Sequence, residues 1–129
     1  VSITLNTLGL PADLVWTDRY DWTPVVQSLA RTEAGVLVRE ESLLQKGRPI
    51  TLEGGDDHGW ASGELVALLH ALQLPANADP MLLVYHGQEL QVAWRRDGAA
   101  PMSARPVRGA VSNPGAGELF VLALRFIEI

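Results

Sequence analysis

The stretch that most limits what this chain can become runs from Arg31 to Gly55, RTEAGVLVREESLLQKGRPITLEGG. It breaks into short runs of mixed apolar and polar residues, separated by Glu33-Ala34-Gly35 and by Gln45-Lys46-Gly47. Runs this short, bounded by turn residues, predict a meander of antiparallel strands. Before the first turn lies Val25 to Thr32, and after it Val36 to Glu41, with Val36 and Val38 on one face and Leu37 and Arg39 on the other. A glycine ending a short connection supplies the positive φ that a hairpin loop needs. After the second turn, Ile50 and Leu52 face one way and Thr51 and Glu53 the other, the pattern of a half-buried strand. Pro49 is tolerated there as a first strand residue.

The same grammar extends outward. Ile3 and Leu5 share a face in a strand over Val1 to Leu5, which Gly9-Leu10-Pro11 is expected to break. Extended structure resumes briefly at Leu14-Val15-Trp16. Met81 to Tyr85, then His86-Gly87, then Gln88 to Arg96 reads as a tight hairpin, with Leu90, Val92 and Trp94 alternating against Glu89, Gln91 and Ala93. The stretch through Pro101 and Pro106 is expected to be irregular, and Ser112 to Gly117 is a loop by composition. Glu118 to Ile129 is apolar on both faces at first and alternates later, which predicts a central closing strand whose end is tied down.

One helix interrupts the strands. From Ser62 to Gln73, Leu65, Leu68, Leu69 and Leu72 fall on one stripe, Ser62 is placed to cap, and Glu64 lies near the positive end of the dipole. Pro75 and Pro80 stop it. A helix of about three turns is unstable alone and must pack on the sheet. The expected fold is therefore mainly β, α+β at the margin: an antiparallel barrel or split barrel with one short amphipathic helix. With 129 residues it makes a single domain over 1–129.

Composition narrows the function. A formal charge of −5 with scattered basic residues disfavours nucleic acid, which asks for a basic face. No apolar run approaches the ~18 residues of a membrane span, and the first residues lack the pattern of a signal peptide. The absence of cysteine removes disulfides and thiolate metal sites.

Candidate chemistry is sparse. Trp16-Thr17-Asp18-Arg19-Tyr20-Asp21-Trp22 crowds three large aromatics and two carboxylates together. Such a segment can stack on sugar rings and accept their hydroxyls, giving a carbohydrate-binding reading. It can equally anchor a loop to the core or to a neighbouring subunit. Asp56, Asp57 and His58 are metal-ligand types, but adjacent residues rarely converge on one ion, and a solvated acidic turn is the simpler meaning. Asp18, Asp21, Asp56, Asp57 and His58 are the only candidates for a hydrolase, and the sequence gives them no geometry. His70 lies off the leucine stripe, and His86 sits on a turn tip. No cofactor is implied, and no catalytic set points to turnover.

The order of elements, together with LPADLVWTDRYDW, GRPITLEGGDDHGW and ELFVLALRFIEI, resembles small structural proteins of bacteriophage tails, of the kind found around the distal tube and baseplate hub. That resemblance implies a small barrel with one helix, copies assembled in a closed head-to-tail ring, and other tail or baseplate proteins as partners. It further implies a place in the virion, after assembly in the host cytoplasm. On this reading the interface candidates are Trp16, Tyr20, Trp22, Trp60, Arg95 and Arg96, because aromatics and arginine dominate interfaces.

Overall fold

The computed structural model describes residues 2–44, 46–75, 79–109, 112–115 and 117–129. The fold is mainly β and antiparallel, with one short helix. The strands are β1 (Ile3–Leu5), β2 (Leu8–Leu10), β3 (Val15–Trp16), β4 (Val25–Arg31), β5 (Leu37–Leu43), β6 (Pro49–Glu53), β7 (Trp60–Ser62), β8 (Met81–Tyr85), β9 (Gln88–Trp94), β10 (Met102–Pro106) and β11 (Leu119–Glu128). Helix α1 (Gly63–Gln73) lies between β7 and β8.

Strand β11 organises the body. Along one edge it pairs with β10 (Met102 opposite Leu124) and then β9 (Trp94 opposite Phe126). Along the other it pairs with β7 (Ala61 opposite Phe120) and then β6 (Leu52 opposite Leu124). Phe120, Val121 and Leu122 are all buried, after which burial alternates through Leu124 and Phe126, as the two-part pattern of the sequence requires. From β11 the sheet runs through β9, β8 and β1 to β2 in one direction, and through β6 to β3 in the other. Among the described residues this path does not close into a barrel. It ends on strands of three and two residues, short edges that offer little to a stray chain.

The core is the inner face of this sheet. Ile3, Leu5, Ile50, Leu52, Leu83, Val92, Leu122, Leu124 and Phe126 are fully buried, with Trp94 stacked on Phe126 at 4.8 Å. Helix α1 closes it from one side through Leu69, which is fully buried, and through the partly buried Leu65, Val66 and Leu72. The Ser62 hydroxyl accepts from the Leu65 N–H at 3.3 Å, so the cap read from the sequence is formed. Leu68, on the same leucine stripe, is 49% exposed.

Several expectations shift. The chain does not break at Gly9: Asn6 takes a positive φ of 53°, turning β1 back into β2, and its side-chain oxygen accepts from the Leu82 N–H at 3.0 Å. Residues 102–106, expected to be irregular, pair with β11 as β10. The meander is not continuous. β4 and β5 form a separate two-stranded sheet, whereas β6 lies between β11 and β3. Hydrogen bonds from Gly47 N–H to Glu128 O and from Glu128 N–H to Arg48 O, both 2.8 Å, tie the approach to β6 to the end of β11. Of β4, β5 and β6, only β6 has the alternation that a core face demands. Val1, Gln45 and Ala116, which fall within the expected first strand, second turn and late loop, lie outside the described residues.

Candidate interaction surface

Every residue from Val25 to Leu44 is exposed, and among the described residues none between Trp16 and Ile50 belongs to the core. This segment is the β4–β5 hairpin, an arm whose strands pair with each other from Val25–Leu43 to Arg31–Leu37 and with nothing in the body. At its root the Leu44 N–H donates to Pro24 O at 2.6 Å. At its tip Gly35 has a φ of 84°, the Thr32 and Val36 backbones bond at 2.8 Å, and the Thr32 hydroxyl accepts from the Val36 N–H at 3.1 Å. Arg31 donates to Gly35 O at 3.0 Å, bracing the turn.

Pairing register sets what each face shows. One carries Val25, Gln27, Leu29 and Arg31 beside Leu43, Glu41, Arg39 and Leu37. Here Gln27 donates to Glu41 at 2.7 Å, and Arg39 pairs with Glu41 at 3.5 Å. The other carries Val26, Ser28 and Ala30 beside Ser42, Glu40 and Val38. Both faces therefore hold apolar side chains in water, with Leu29 57% exposed on the first and Val26 45% on the second. An isolated two-stranded ribbon is marginal at best in water, and a contiguous exposed apolar patch is the usual mark of an interaction site.

The body shows a second apolar surface, beside α1. One groove of about 440 Å³ is lined by Gly63, Glu64, Ala67, Leu68, Pro114 and Phe120, among others. A second, of about 380 Å³, is lined by Leu5, Leu8, Leu68, Ala71 and Leu72, among others. The two meet at Leu68.

The interface candidates named from sequence differ in exposure, and one of them, Trp16, belongs to the core. Trp16 is 5% exposed and sits in the core, edge-on to Tyr85 at 5.4 Å, with the Arg48 guanidinium 4.7 Å from its ring. Tyr20 is 89% exposed, and Trp22 is half-buried. The early loop thus turns one ring in and another out, and does not line up three rings for a sugar. Its Asp18 carboxylate is engaged by Thr51, accepting from the backbone N–H at 2.9 Å and from the hydroxyl at 3.0 Å. Trp60 is partly exposed and donates to Gly55 O at 3.0 Å. Arg95 donates to the Thr51 hydroxyl at 2.9 Å, and Arg96 donates to the carbonyls of Gln73 and Pro75, just past the helix end.

The acidic turn is internally matched. Asp56 pairs with Arg105 and Asp57 with His58, each at 2.7 Å, and the His58 hydrogen bond holds the Asp57 carboxyl below the usual range. Among the described residues no three histidine or acidic side chains are grouped so as to hold a metal ion. No helix there is long and apolar enough to cross a membrane.

The sequence does not mark the arm as a surface, because an exposed strand with apolar residues on both faces reads like a buried one, and it places Leu68 on the same stripe as the buried Leu69. The signal is present in the consecutive apolar runs Val25-Val26 and Val36-Leu37-Val38. Comparison of the chain with protein-family models, with curated proteins and with solved structures gives no match to any of them.

Proposed function

We propose that this chain is a structural component of a bacteriophage tail or baseplate, assembling into a ring at the distal tail tube or hub through protein-protein interfaces, without turnover or cofactor. The observation that supports this most is the arm: twenty consecutive exposed residues, 25 to 44, on a body whose core is complete without them. A ribbon that gains nothing from its own body is stabilised only when another chain covers it. The resemblance of the strings quoted above to tail proteins supplies the setting, with other tail or baseplate proteins as neighbours and with neither nucleic acid nor membrane as partner.

The test is co-expression with the tail genes, followed by electron microscopy of purified tails carrying a tagged copy of the chain. A ring of density at the distal tube or hub is expected. Tails that form complete without it, together with a chain that never joins them, would remove the reading.

A further inference from the structure

Resting on the assembly reading, we infer that the distal half of the arm docks by its leucine-arginine face into the apolar groove beside α1 of a second copy of this chain, with Arg31 meeting Glu64.

The donor surface is Leu29, Arg31, Leu37 and Arg39, which the register places side by side at the far end of one face. Leu29 and Leu37 are 57% and 49% exposed. The acceptor is the groove in which Leu68, 49% exposed, lies between Ala67, Phe120 and Pro114 on one side and Leu8 and Leu72 on the other. Both surfaces leave large apolar side chains in water, so joining them removes that cost from each.

Charge fits the pairing. Among the described residues neither Arg31 nor Glu64 takes part in an ion pair, and the Arg31 guanidinium donates to the neutral Gly35 carbonyl. Arg31 stands at the tip beside Leu37, and Glu64 stands on the groove wall in the first turn of α1. A cation flanked by leucine on the donor matches a carboxylate flanked by leucine and phenylalanine on the acceptor, and such matched charge fixes orientation and register.

Area favours a groove over a flat face. Seven paired residues span about 23 Å and two strands about 10 Å, so one face of the whole ribbon offers roughly 230 Å² and its distal half about half of that, well short of the ~800 Å² per partner of a standard interface. A concave acceptor that takes in the edges as well as one face adds to this area, so each contact belongs to the weak class and depends on repetition around a closed assembly. Donor and acceptor are different surfaces of one chain, so the contact is head-to-tail and propagates from copy to copy until it closes.

The test measures self-association of the full-length chain by sedimentation and native mass spectrometry, with circular dichroism to confirm folding. Arg31→Glu and Glu64→Arg should each weaken association by about tenfold or more, and the double reversal should recover most of that loss. Leu68→Glu, at an exposed position, should abolish association while the chain stays folded. A chain that remains monomeric at roughly 100 μM, or a double reversal no better than the single ones, overturns the docking. If association survives both reversals but is lost when the arm is excised, this geometry is wrong while the assembly reading stands. Failure to join tail particles sinks that reading instead.

Discussion

At the residue scale, Gly59 is a position where both space and backbone conformation exclude a side chain. It has a φ of 70°, and a Cβ there would lie 2.6 Å from the Gly54 Cα and 3.0 Å from the Leu14 side chain. Gly59→Ala combines an unfavourable backbone with a clash against backbone atoms, and should cost about 2 kcal/mol or more in chemical denaturation. Equal unfolding midpoints for the two proteins would refute it. A second residue-scale device is the clamp between Arg108 and Glu118, whose two parallel bonds of 2.8 and 2.9 Å hold the entry to β11. Hydrogen bonds from Arg108 hold the Glu118 carboxyl below its ordinary value of 4.5. A depressed folded value means the clamp stabilises the protein fully above pH 4.5 and fades as pH falls through the lower, folded value. The stability difference between the protein and Glu118→Gln should therefore be present at neutral pH and shrink in acid. A difference that grows below pH 4.5 would reverse the sign.

At the scale of elements, α1 shows how one leucine stripe is divided by its surroundings. Leu69 is fully buried beneath the helix, and Leu68, one residue earlier, is half in water. In the isolated chain Leu69→Ala should cost roughly 2–5 kcal/mol, the usual range for a buried leucine, while Leu68→Ala should cost under about 0.5 kcal/mol. Thermal and denaturant unfolding of both variants checks this, and similar losses would mean that Leu68 is also core. The stripe at 65, 68, 69 and 72 was legible from spacing alone. Its division was not, because it depends on where β10 and β11 run beneath the helix.

At the scale of the whole molecule, the chain is a folded body plus an arm. The Leu44 N–H bonds to Pro24 O, so the two ends of the arm meet. Replacing residues 25–43 with a two-residue Asn-Gly turn should leave a folded body, with a melting temperature within a few degrees of the full chain's, since a lone ribbon adds little stability. Loss of cooperative unfolding on excision would show that the arm holds the body together after all.

What the sequence by itself determined are the elements whose pattern is complete within them. The His86-Gly87 hairpin forms with both turn residues at positive φ, α1 begins at its serine cap, and β11 buries both faces first and one face later. Local spacing encodes these because each side chain's burial follows from its own strand or helix period. Only the tertiary structure decided which strands pair across long separations, that the aromatic loop sends Trp16 inward and Tyr20 outward, and that β4 and β5 leave the sheet. The reason is physical: an apolar strand shows the same residues whether its faces are covered by its own body or left open, and the difference lies only in what packs against it.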